Sequence, residues 1–168
     1  MAEREFSSLT SFITHLEAAE IAIHEAEKHA LKKVALIIEK NAKDRIGQYQ
    51  EQEGPFNKWS DLADSTEAEK ARLGYPTDAP LLRTGDLRDT IQHEIDDKLF
   101  DMSAMIGSKS DIAAYQEFGT DKIPPRPFIG PAAFSQKKKI QKILGEALVE
   151  GLVGGSTIHK ALGYDFET

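Results

Sequence analysis

The chain has 168 residues, of which 40% are hydrophobic and 12 are glycine, the make-up of one globular domain with enough apolar material for a real core. Its formal charge of −7 argues against holding nucleic acid by neutralising many phosphates. The absence of cysteine excludes disulfides, thiolate metal sites and cysteine nucleophiles.

The start, Met-Ala-Glu-Arg-Glu-Phe, lacks the basic-then-apolar pattern of a signal peptide. No apolar run approaches about 18 residues, so no membrane span is expected. Leu9, Phe12, Ile13, Leu16, Ala19, Ile23, Ala26, Ala30, Val34 and Ile37 then recur at three- and four-residue steps among charged residues, the period of an amphipathic helix. Neither proline nor glycine interrupts residues 8–46, and Gly47 is a natural stop. A helix over about 8–46 is a rod of roughly 57 Å, long for a domain of this size. A narrow apolar stripe on such a rod lies against another chain, or the rod breaks in two near Glu25–Lys28.

Residues 48–65 read as a loop around Gly54-Pro55, with Phe56 and Trp59 tacking it onto the core. Thr66-x-x-Glu69 is a capping box for a short helix ending at Gly74, and Tyr75-Pro76 through Ala79-Pro80 is an extended linker. Thr84 caps a single turn before Leu87. The period then changes to two. Ile91, His93 and Ile95 alternate with Gln92, Glu94 and Asp96, and after the turn Phe100, Met102, Ala104 and Ile106 alternate with Asp101, Ser103, Met105 and Gly107, as in a β-hairpin with one buried face. Ser110-Asp111 caps a helix over Ile112–Phe118 that Gly119 closes. Pro124-Pro125-Arg126-Pro127 is a rigid extended arm, and Gly130-Pro131 opens a last helix with proline at its first position. Ala133, Ile140, Ile143, Leu144, Ala147 and Leu148 form the buried stripe of that helix. The expected organisation is one α+β domain over 1–151. A long N-terminal helix, an antiparallel hairpin, short helices and a packed C-terminal helix make it up, with 152–168 a flexible tail.

His24 and His29 imitate a zinc-protease helix, but their five-residue spacing sets them about 140° apart, where they cannot share an ion. Gly151 through Thr157 lacks the lysine of a phosphate loop and follows a helix. No carboxylate pair sits in a context that separates its pKa values. The chain is therefore expected to be no enzyme and to carry no catalytic residue, cofactor or metal. Charge placement says more. Residues 122–142 carry Lys122, Arg126, Lys137, Lys138, Lys139 and Lys142 without one acid, whereas 86–120 are strongly acidic. Opposite patches on one chain suit head-to-tail contact between copies. The basic element reads otherwise as a solvated helix face.

The middle of the chain runs Trp59-Ser-Asp-Leu62-Ala-Asp-Ser65-Thr66, then Leu82-Arg-Thr84-Gly85-Asp-Leu87-Arg-Asp-Thr90-Ile91. Ile106-Gly107-Ser108 follows, with Tyr115-Gln-Glu117-Phe118-Gly119-Thr120 and Ile123-Pro124-Pro125-Arg126-Pro127-Phe128-Ile129-Gly130-Pro131 after it. In this order, over about 55–150, the series resembles the neck and tail-component (head–tail joining) proteins of long-tailed double-stranded DNA phages, and is similar to Mu-type virion morphogenesis proteins. The resemblance implies a structural virion protein, located in the neck or tail region and assembled in the host cytoplasm. It implies a six-fold ring of copies between the head-side connector or stopper and the tail terminator or tail tube, with DNA passing through as cargo. Within it Trp59, Thr84, Gly85, Leu87, Phe118, Gly119 and Pro131 are structural, with Phe118 and Phe128 buried against the hairpin. Arg126, Pro127 and Phe128 sit on the assembly arm, where Arg126 reaches a partner. By charge placement, Lys137, Lys138 and Lys139 are expected to meet the acidic stretch at Asp96 and Asp97 of a neighbouring subunit. The alternatives are a tail terminator, a minor capsid-associated protein, or a small acidic regulatory module acting through its long helix.

Overall fold

A computed structural model describes residues 8–98 and 101–153. The elements are α1 (Leu9–Arg45), α2 (Asp64–Leu73), α3 (Asp86–Asp89), β1 (Ile91–Lys98), β2 (Asp101–Ser108), α4 (Asp111–Phe118), α5 (Ile129–Ser135) and α6 (Lys137–Val153). This is the α+β arrangement the periods predict, mostly helical, with one antiparallel hairpin.

α1 is a single helix of 37 residues, unbroken through Glu25–Lys28. Ser8 and Ser11 form a reciprocal capping box at its start, and Lys43 and Arg45 sit in its last turn, where cations suit the helix dipole. Ala30, Val34, Ile38 and Ala42 bury its inner face. The hairpin lies across this helix with Ile91, His93 and Ile95 paired to Ser108, Ile106 and Ala104. The expected face is thus the inner one; Phe100 lies outside the described residues. Lys28 reaches the end of β1 and pairs with Asp97 at 2.5 Å.

α6 also packs along α1, with its far end beside Ile23. The approach is close enough that a methyl group added at Gly151 would stand 2.6 Å from the Ile23 Cα. One hydrophobic cluster joins α1, β1, α4, α5 and α6, and Trp59 and Phe128 are its largest fully buried side chains.

Several boundaries differ from expectation. α2 begins at Asp64, two residues before Thr66, and has no side-chain cap, so the expected capping box does not form; Gly74 does end the helix, in the left-handed conformation. The Thr84 hydroxyl accepts from the Asp86 N–H at 3.4 Å, while Gly85 occupies the capping position of α3. The last helix is two helices with a turn at Gln136, and Pro131 is the third residue of α5 rather than the first. Arg45 Nη2 donates to the Pro131 carbonyl and the Ser135 hydroxyl to that of Ala132. Those side-chain bonds occupy acceptors at the end of α5, and α6 restarts with its own bond from Ile140 N–H to the Gln136 carbonyl. α6 continues past Gly151 to Val153. The remainder of the expected flexible tail, 154–168, lies outside the described residues.

Candidate assembly surfaces

The proline arm is held from three sides. Trp59, 1% exposed, donates its indole N–H to the Pro127 carbonyl at 3.1 Å. Arg126, 7% exposed, turns inward and gives Nη2 to the carbonyls of Ser60 and Asp61 at 3.0 and 3.1 Å. Its backbone N–H donates to the Gln116 carbonyl. Arg126 therefore does not reach out to a partner, as the sequence suggested. The prolines fix the backbone, but loop carbonyls with no ladder of their own draw the guanidinium in.

Glu117 completes this node, and its role is not visible in the sequence. Its carboxylate accepts from the backbone N–H groups of Phe128, Ile129 and Gly130 at 2.7, 3.0 and 2.8 Å. Those are unpaired donors at the start of α5, where a negative charge is favoured. Phe128 is thereby fully buried, as expected. Gly119 makes the turn between helix and arm at φ +75°, where a Cβ would meet the Pro125 nitrogen at 2.9 Å.

Phe118 is the opposite case and corrects the sequence reading: it is 80% exposed. α4 buries Ala113, and Phe118 follows five residues later, about 140° around the helix. Ile112 and Tyr115 face outward too, at 59% and 52% exposure. On the hairpin's outer face Met105 is exposed beside a shallow hollow lined by Gln92, Glu94 and Lys109.

Of the remaining predicted site residues, Lys137, Lys138 and Lys139 are exposed on the first turn of α6 and form no ion pair among the described residues. Asp96 and Asp97 are exposed but already paired within the chain, to Lys98 at 2.6 Å and to Lys28. The Lys28 ammonium holds the Asp97 carboxyl below the usual carboxylate range. Gly85 and Pro131 are buried, Leu87 is half-buried and Thr84 is exposed. Two polar clusters escaped the sequence reading. Arg45 gathers Asn41, Gln50 and Glu53 under the loop. On the hairpin's inner face His93 Nδ1 meets Glu39, which also takes Lys43. Together they hold Glu39 below the usual range, with the Lys43 hydrogen bond the larger cause. Alternation of β1 shows that His93 faces inward, but nothing in either segment names Glu39 as its partner.

The N-terminal third of α1 carries exposed apolar side chains. Leu9, Phe12, Ile13 and Leu16 are 75%, 40%, 47% and 51% exposed, although they continue the stripe that α6 and the hairpin cover from Ile23 onward. Among the described residues no helix is long and apolar enough to cross a membrane. Comparison of the chain with models of known families, with curated proteins and with solved structures finds no match.

Proposed function

We propose that the protein is a structural component of a tailed phage virion, a neck or head–tail joining subunit acting as a ring of copies between the head-side connector and the tail. The reading rests on the ordered motif series from Trp59 to Pro131. The observation that carries it from motif to assembly is the exposed apolar surface on two separate faces, α1 from Leu9 to Leu16 and the Ile112–Tyr115–Phe118 side of α4. Contiguous apolar surface of this kind marks a place where another protein sits. The motif residues Trp59, Glu117, Arg126 and Phe128 build the scaffold that presents these faces. No catalytic step and no cofactor belongs to this reading.

In it DNA is cargo. An acidic subunit repels phosphates, so they pass a channel without being gripped. Neighbours on the head side and the tail side supply the remaining contacts. The test is electron microscopy of intact virions with the protein labelled. Label confined to the neck, together with unjoined heads and tails when the gene is deleted, is the expected result. Normal virions assembled without the protein would overturn the reading.

A further inference from the structure

We infer that the exposed apolar residues Leu9, Ile13 and Leu16 of α1 dock on a second copy of this chain, along the flank of α6 that begins at Lys137. This names the partner surface for the ring proposed above and rests on that reading for its biological setting.

The first argument is continuity. α6 runs along the apolar stripe of α1 and meets it at Ile23, where Gly151 touches the helix. The stripe runs on through Leu16, Ile13 and Leu9, a further 14 residues or about 21 Å of helix. A helix face of the same kind as the one α6 already covers calls for a second helix.

The second argument is charge. From Ser8 to Glu27 the helix carries Glu17, Glu20, Glu25 and Glu27 and neither lysine nor arginine. Glu17 and Glu20 are exposed and make no ion pair among the described residues. The first turn of α6 carries three exposed lysines equally without acids. Two acidic helices laid side by side would repel, so contact of α1 with the same segment of another copy is disfavoured. Acidic α1 against basic α6 is favoured. Asp96 and Asp97, the other acids near enough in sequence character, are neutralised inside their own chain.

The third argument is shape. Lys137, Gln141, Leu144 and Leu148 follow one another at four-, three- and four-residue steps, hence along one flank of α6. Leu144 and Leu148 remain 38% and 47% exposed there. They border a groove of about 410 Å³ that α1 and β2 close with Ala30, Leu31 and Met102, and with Glu27 at its α1 edge. An apolar helix face fits this apolar groove, and Lys137 stands on the same flank of α6 about two turns before Leu144. The contact joins two different faces, so it is head-to-tail and propagates to a ring when the rotation closes.

The absence of cysteine makes the test direct. Full-length Ile13→Cys protein is mixed with full-length Gln141→Cys protein under mild oxidation, and disulfide-linked species are resolved by mass. Mixed dimers in excess over either homodimer are expected. Lys137→Glu, Lys138→Glu and Lys139→Glu together should cut their yield about tenfold, and adding Glu17→Lys and Glu20→Lys should restore it. Dominant Ile13–Ile13 homodimers, or no mixed species, would overturn the inference. So would a yield that rises only when the chain is ended at Val153, since residues 154–168 would then be the occupant. Circular dichroism of each variant checks that it is folded. Mixed dimers from a protein that no virion contains would leave this surface standing and remove the neck reading. Neck-located protein without mixed dimers would do the reverse.

Discussion

The two ends of α1 have the same period and opposite fates. From Ala30 to Ala42 the inner positions are buried under α5, α6 and the hairpin, whereas from Leu9 to Leu16 equivalent positions face outward. The difference lies in what reaches them, not in their own hydrophobicity; the exposed end carries the larger side chains. A repeating apolar stripe therefore marks a face that requires a partner without stating whether that partner is in the same chain.

This contrast can be tested by substitution on each side. The largest effect belongs to the covered side. Phe128→Ala should lose about 3–5 kcal/mol, a fall in Tm on the order of 10 °C for a chain this size. Phe118→Ala, removing the same side chain from an exposed site, should change stability by no more than about 0.5 kcal/mol. Paired thermal melts read the difference, and equal losses would mean that Phe118 packs.

Arg126→Ala comes next, at about 2 kcal/mol, because it leaves the carbonyls of Ser60 and Asp61 without their charged donor. Urea titration should show a lower midpoint with an unchanged slope. Wild-type stability combined with loss of subunit contact would return Arg126 to the surface role first read from the sequence.

Gly151→Ala sharpens the boundary between the two ends of α1. Its new methyl group meets the Ile23 backbone, so α6 must shift at a cost of about 1–2 kcal/mol. Hydrogen exchange should rise along α6 and around Ile23 while Leu9–Leu16 stay as in the parent. Unchanged protection at Ile23 would show that the helices do not approach so closely there.

The smallest effect concerns pH. Glu39 is held below its ordinary value of 4.5 by Lys43 and His93 in the folded chain. Its contribution is complete above pH 4.5 and is lost as pH falls through the lower folded value. Glu39→Gln should therefore cost about 1 kcal/mol near neutrality and flatten the acid limb of stability against pH. An acid limb as steep as that of the parent would place the responsible carboxylate elsewhere.

What the sequence determined is local. The helical period from Leu9 to Ile37, the alternation of Ile91, His93 and Ile95 and the stops at Gly74 and Gly119 are each written within a few residues. Helix and strand periods, and backbone angles that glycine tolerates best, act over that range. Only the tertiary structure decided the rest. Arg126 turns inward because carbonyls 65 and 66 residues earlier come within reach. Glu117 caps a helix whose donors begin 11 residues later, and Phe118 faces outward because Ala113 sets the buried side of α4. These outcomes depend on which unpaired donors and acceptors folding brings together. A buried polar group must find a partner wherever one lies, and its position along the chain does not reveal where that is.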